Sequence, residues 1–169
     1  MNHFFLDASA WDKRFHQEPG TEAVNRLVDC LLAVPHRLAV SPLGLAEVIA
    51  ALNRHKNEGH LPAFLFQQAT MRILLEAKDM DSQPLDEAIV MQSLPYVSKH
   101  NINASDAIYL QQVLLLRRLL QRVKHELILV ASDHRLLRAA AAEGVTTLDP
   151  EMVGLQEIDA FIVSRTGID

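Results

Sequence analysis

The sequence predicts an α/β fold of three α/β/α layers around a central parallel sheet of about four strands. Three observations predict it: four short apolar runs of strand length, long segments of helical periodicity between them, and acids placed where strands end or helices begin. Strands that alternate with helices imply right-handed crossovers and a sheet covered on both faces.

The first run, His3–Leu6, ends at Asp7, where a helix is expected to start near Ala8. The second, Arg37–Val40, meets Ser41-Pro42, a capping hydroxyl followed by proline at the first helical position. The helix opened there carries Leu45, Val48, Ile49 and Leu52 at i, i+3, i+4 and i+7, and Pro62–Lys78, Pro84–Met91 and Ala104–Val123 carry comparable stripes. Leu127–Ala131 is the third strand and Thr146–Leu148 the fourth, separated by a helix over His134–Glu143 that Gly144 stops. Beyond Asp149-Pro150, Val153–Val163 reads as a last helix. Neither a linker nor a repeat interrupts the chain, so residues 1–169 read as a single domain with a C-terminal extension at about 151–169.

With 169 residues, 49% hydrophobic and 22% charged, the composition supports a real core and excludes disorder as the default. The lone Cys30 cannot form an internal disulfide, and Leu27, Leu31 and Val34 around it suggest a buried small hydrophobe in a reducing compartment. The start lacks a basic region ahead of its apolar residues, and Arg117, Arg118 and Arg122 interrupt the most apolar segment. These features predict a cytoplasmic chain with no membrane partner. A net charge of −5 excludes a protein that coats nucleic acid over its whole surface, while leaving room for a local site.

Four acids carry the chemical signal. Asp7 follows the first strand, at the carboxyl end where open parallel sheets bind ligands, and is equally readable as a helix cap. Glu47 has Leu43, Ala50 and Ala51 as helical neighbours and no basic residue placed to pair with it, and reads equally as a cation ligand or as part of a solvated face. Asp106 falls in the first turn after Asn103, where the helix dipole also favours an acid. Asp133 repeats the strand-end position of Asp7 ahead of the helix His134–Glu143 and is likewise readable as a cap. Convergence of all four would require cations, and oxygen-only ligands suit Mg²⁺ or Mn²⁺ rather than Zn²⁺.

Phe4-Phe5-Leu6-Asp7-Ala8-Ser9, Leu45-Ala46-Glu47-Val48, Asn103-Ala104-Ser105-Asp106-Ala107-Ile108-Tyr109-Leu110 and Leu129-Val130-Ala131-Ser132-Asp133-His134-Arg135 resemble, in order and spacing, the four acidic motifs of the PIN-domain family. Thr147-Leu148-Asp149-Pro150 resembles its last strand. Ser9, Ser132 and Gln111 depart from the usual residues, although both serines keep a hydroxyl. The resemblance implies a VapC-type toxin ribonuclease: a Mg²⁺- or Mn²⁺-dependent endoribonuclease with Asp7, Glu47, Asp106 and Asp133 as metal ligands and catalytic residues. It implies Ser9 and Ser132 as supporting hydroxyls, RNA as substrate, a cognate antitoxin protein and a homodimer. Arg54, Lys56 and Arg135 are candidates for RNA phosphates, each also readable as a solvated charge. Trp11 would stack on a base or fill the core. The eight histidines show no HExxH or other compact ligand spacing, and none is assigned to metal. Alternatives are an RNA-processing PIN nuclease without an antitoxin, a non-catalytic nucleic-acid-binding PIN module, and an acid-cluster receiver or phosphohydrolase. The last is disfavoured because Phe4–Ser9 lacks a second nucleophile-motif Asp.

Overall fold

The computed structural model describes residues 1–163. Its elements run β1 (Asn2–Leu6), α1 (Ala8–Trp11), a 3-10 turn (Asp12–Arg14), α2 (Thr21–Leu32), β2 (Leu38–Val40), α3 (Pro42–Asn57), α4 (Ala63–Lys78), β3 (Asp81–Ser82), α5 (Glu87–His100), α6 (Ala104–Gln121), β4 (Glu126–Val130), α7 (His134–Ala142), β5 (Thr146–Leu148) and α8 (Leu155–Val163).

The sheet is parallel throughout, in the order β3-β2-β1-β4-β5. It has five strands among the described residues, one more than expected. The addition is β3, two polar residues paired with Ala39 and Val40, which no apolar run announces. Near-continuous apolar strands are what a sheet buried on both faces requires. Side chains alternate accordingly: Phe4, Leu6, Leu38, Val40, Ile128 and Val130 enter one core with α1, α2 and α3, while Phe5, Ala39, Leu127 and Leu129 enter the other with α6 and α7.

Two helices depart from expectation. The α2 helix, whose Ala23, Val24, Leu27, Val28 and Leu31 are buried, has no counterpart among the helical segments expected from sequence. The α5 helix continues through Pro95 to His100, past the Met91 end expected from sequence, because it packs along α6. Cys30 is half-buried rather than buried. Trp11 is fully buried, with Nε1 donating to Glu76 Oε2 at 3.1 Å, so it fills the core and is unavailable for base stacking.

The C-terminal segment is held by specific contacts. Gly20 sits at φ 85°, and a Cβ there would come within 3.0 Å of the Pro150 backbone. Ile158 is fully buried, Arg26 pairs with Asp159 at 2.7 Å, and Arg37 donates to the Ile162 carbonyl at 2.9 Å. Residues 164–169 of the expected extension lie outside the described residues. Among the described residues no helix is long and apolar enough to cross a membrane.

Candidate active site

Strand β1 pairs with β2 on one side and β4 on the other, so the crevice past their carboxyl ends is the sheet's topological switch point. Asp7 is placed there, its backbone N–H bonded to the Val130 carbonyl at 3.0 Å. Its carboxylate is 4% exposed and accepts two bonds at Oδ2, from the Ser9 amide at 3.0 Å and the Ser9 hydroxyl at 2.6 Å. Burial pushes Asp7 up to about 6 against those bonds, with Glu47 and Asp106 adding like-charge repulsion. It is thus both the cap of α1 and a buried acid repelled by its neighbours.

Glu47 projects half-buried from α3 and accepts a 2.6 Å bond from the Tyr109 hydroxyl. Asp106 lies in the first turn of α6, which Asn103 caps by accepting from the Asp106 amide at 2.8 Å. Relieved of capping, Asp106 is 6% exposed and its Oδ2 is buried without any hydrogen-bond partner. Burial raises it first, then the charges of Asp133 and Glu47, with Arg135 and Asn103 opposing.

Asp133 differs. It caps α7, Oδ1 accepting from the amides of Arg135 at 2.7 Å and Leu136 at 3.2 Å. Partial burial pushes it up, but those amides and the Arg135 guanidinium outweigh burial and hold it below its ordinary value. Ser9 joins the two strand ends: its hydroxyl also accepts from the amides of Ser132 at 2.9 Å and Asp133 at 3.3 Å. Ser132 contributes through its backbone, while its Oγ is buried and unpartnered.

A groove of about 330 Å³ beside Asp7 is lined by Ser9, Asp12, Glu47 and Arg54 among others. Its walls do not include Asp106 or Asp133. Arg54 is exposed on that groove, and Arg135 reaches Asp133 at 3.4 Å. Lys56 is engaged elsewhere, its ammonium 4.6 Å from the Phe66 ring centroid.

In donor chemistry Asp7, Glu47 and Asp106, all oxygen ligands and one of them with an orphaned buried oxygen, suit a hard divalent cation. No three of the four acids bring ligand atoms within 4.8 Å of one another; among the described residues that distance is met by Asp12, His16 and His55, and by His55, Glu58 and His60. Sequence reasoning passed over these histidines. For the first group the i, i+4 spacing of Asp12 and His16 is the signal in the sequence, since His55 arrives from α3; the second is local, at His55, Glu58 and His60.

A family model described as PIN domain matches residues 4–143. Similar solved structures are PAE2754 from Pyrobaculum aerophilum, with TM-score 0.62, 16% identity and coverage of 95% of this chain and 99% of that one, and FitAcB from Neisseria gonorrhoeae, with TM-score 0.57, 19% identity and coverage of 89% and 99%. FitAB bound to an IR36 DNA fragment aligns with TM-score 0.55, 18% identity and coverage of 89% and 97%. No curated protein matches the chain.

Proposed function

Because the chain belongs to the PIN-domain family, a nuclease fold, we propose that it is a metal-dependent endoribonuclease, acting as the toxin of a type II toxin-antitoxin pair. The observation that carries the reading is the buried, unpartnered Asp106 Oδ2 beside a buried Asp7 that Glu47 and Asp106 both repel. Such an arrangement is unfavourable for structure alone and favourable once a cation faces it.

Asp7, Glu47 and Asp106 are the proposed direct holders of Mg²⁺ or Mn²⁺. That ion supplies Lewis acidity and activation of water against a phosphodiester. Asp133 already satisfies Oδ1 as a helix cap, which suits contact through water or to a second ion. Ser9 holds Asp7 in register with the Ser132–Asp133 loop, and Tyr109 keeps one Glu47 oxygen fixed while the other stays available. Arg54 and Arg135 are the proposed phosphate contacts; Lys56 joins them only by leaving Phe66. Presence of all four acids favours catalysis over a non-catalytic binding module.

A cognate antitoxin and a homodimer belong to the same proposal. Phe64 and Met71 of α4 and Met91 and Leu94 of α5 are exposed apolar side chains of the kind that a second copy of the chain would cover. Analytical ultracentrifugation checks the dimer. Relief of growth arrest by a co-expressed neighbouring reading frame checks the antitoxin.

The central experiment is cleavage of single-stranded RNA with Mg²⁺ or Mn²⁺, with and without a chelator. Cleavage that requires the ion supports the reading; cleavage that survives thorough metal removal overturns it in favour of side-chain acid–base catalysis.

A further inference from the structure

We propose that Asp12, His16 and His55 form a site for a transition-metal ion of the Zn²⁺ class, separate from the hard-cation acids. Asp12 begins the 3-10 turn after α1, His16 lies just beyond that turn, and His55 sits in the last turn of α3. One ligand atom from each lies within 4.8 Å of the other two, and all three residues are half-buried.

Two imidazoles and one carboxylate are a borderline donor set, suited to Zn²⁺ or Co²⁺ and poorly suited to Mg²⁺. Three protein ligands also leave a fourth position open, as in catalytic rather than structural zinc sites. Bonds of about 2.1 Å in a tetrahedron place ligand atoms roughly 3.4 Å apart. Asp12 and His16 already approach to 3.7 Å between Oδ2 and Nε2, and the His16 and His55 rings to 5.0 Å between centroids, so the three side chains converge on one point without any backbone rearrangement being called for.

An independent observation points to a ligand. Asp12 Oδ1 and His16 Nδ1 are both buried with no hydrogen-bond partner. Buried polar atoms are ordinarily paired, and orphans on two adjacent ligand residues call for an explanation. The competing structural roles are the ion pairs of His16 Nε2 with Asp12 Oδ2 at 3.7 Å and with Glu18 Oε1 at 3.2 Å, but both use Nε2 and leave Asp12 Oδ1 and His16 Nδ1 free as ligand atoms, and Lys13 already pairs with Glu18 at 3.2 Å. The second triad shares His55 but adds Glu58 and His60, both exposed, with no buried orphan.

The consequence is mechanical. An ion there ties the segment following Asp7 and Ser9 to the end of the helix that carries Glu47, along the groove Asp12 helps to line. Occupancy stiffens that wall whatever reaction the acids perform, so the inference does not depend on the nuclease reading.

The test is Co²⁺ titration of the full chain in excess Mg²⁺, read by visible absorption, with Zn²⁺ as competitor. The expected result is one Co²⁺ per chain, displaced by Zn²⁺, retained in the Asp7→Asn/Asp106→Asn double variant and in His60→Gln, and weakened at least about tenfold in His16→Gln and His55→Gln. Independently of any variant, the ring resonances of His16 and His55 in the wild type should shift on adding Zn²⁺. Wild-type rings that do not move, equal Co²⁺ binding in the wild type and the His16→Gln/His55→Gln variant, or loss of binding in the acid variant would each overturn the proposal. So would loss in His60→Gln with His16→Gln unaffected, which places the ion on the exposed triad.

Discussion

The Tyr109 hydroxyl donates to Glu47 Oε2 at 2.6 Å, a bond across 62 residues of sequence that joins α6 to α3. Tyr109 is 1% exposed. Burial, reinforced by the charges of Asp7, Glu47 and Asp106, pushes its phenol far up, so it is a permanent donor. Packing fixes the ring as well, with Phe5 in an edge-on contact at 6.4 Å between centroids.

Tyr109→Phe keeps that packing and deletes only the donor. A hydrogen bond to a charged group contributes roughly 1.5–3 kcal/mol; because Glu47 is half-exposed and water replaces the lost partner, the low end is expected. Thermal melting should report that loss. Releasing Glu47 should also weaken Mn²⁺ binding by about tenfold or more, as loss of a ligand's supporting bond commonly does, with Mn²⁺ titration as the check. Unchanged Mn²⁺ affinity would remove Glu47 from the ligand set.

Gly44→Ala probes the same bond from the opposite side. A Cβ at Gly44 would stand 3.1 Å from the Tyr109 hydroxyl, which Glu47 and Phe5 leave little room to move. Helix propensity alone would favour alanine by about 1 kcal/mol. The crowding should cancel that gain in the wild-type background, while Gly44→Ala added to Tyr109→Phe, which lacks the hydroxyl, should recover it. Denaturant melts of the four proteins measure the coupling, and simple additivity would show that the close approach is inconsequential.

Much of this geometry is legible from sequence and some is not, for identifiable reasons. Strands β1, β2 and β4 announce themselves as apolar runs because both faces of the sheet are covered there, whereas edge strand β5 is marked by Leu148 alone, its Thr146 being exposed. β3 is two polar residues held by backbone pairing, so no side-chain pattern marks it. The expected helical segment ends at Met91, yet α5 runs on through Pro95, since packing on α6 overrides local preference. Asp7 and Asp133 are visible as acids at strand ends, and their capping roles are equally visible. What separates them is burial: it raises Asp7, whereas at the less buried Asp133 the Leu136 and Arg135 amides and the Arg135 guanidinium outweigh it, and depth of burial is not encoded in spacing. The Tyr109–Glu47 bond and the approach of His55 to Asp12 are long-range facts of the fold.

Ser9→Ala should be more damaging than its size suggests. The hydroxyl donates to Asp7 and accepts from the Ser132 and Asp133 amides, so its removal leaves the part-buried Ser132 N–H unpaired and Asp7 short of one stabilising bond. An unsatisfied buried donor costs about 1–3 kcal/mol. Ser9→Thr retains the hydroxyl and should retain most of the stability. Equal melting of Ser9→Ala and wild type would reduce Ser9 to a local turn residue.

Asp7 provides a pH test with a definite sign. Its carboxyl is raised from 3.8 to about 6 in the folded chain. The fold therefore prefers the protonated acid: the contribution to stability is fully present below about 3.8 and is lost as pH rises through about 6. Integrated over that window, the metal-free wild type should lose up to roughly 3 kcal/mol that Asp7→Asn does not lose. Asparagine caps α1 nearly as well and keeps the side-chain volume, so at pH 7 without metal Asp7→Asn should melt higher than wild type, and the two should converge near pH 4. Asp106→Asn should behave in the same direction, its acid being raised by burial and by Asp133. Adding Mn²⁺ at pH 7 should reverse the order, stabilising the wild type and not the Asp7 variant, because a ligand that binds only the folded state shifts the equilibrium towards it. The measurement is the difference in melting between wild type and variant across pH, with and without Mn²⁺. A variant that melts lower at every pH, and that Mn²⁺ stabilises as much as the wild type, would make Asp7 a structural cap alone.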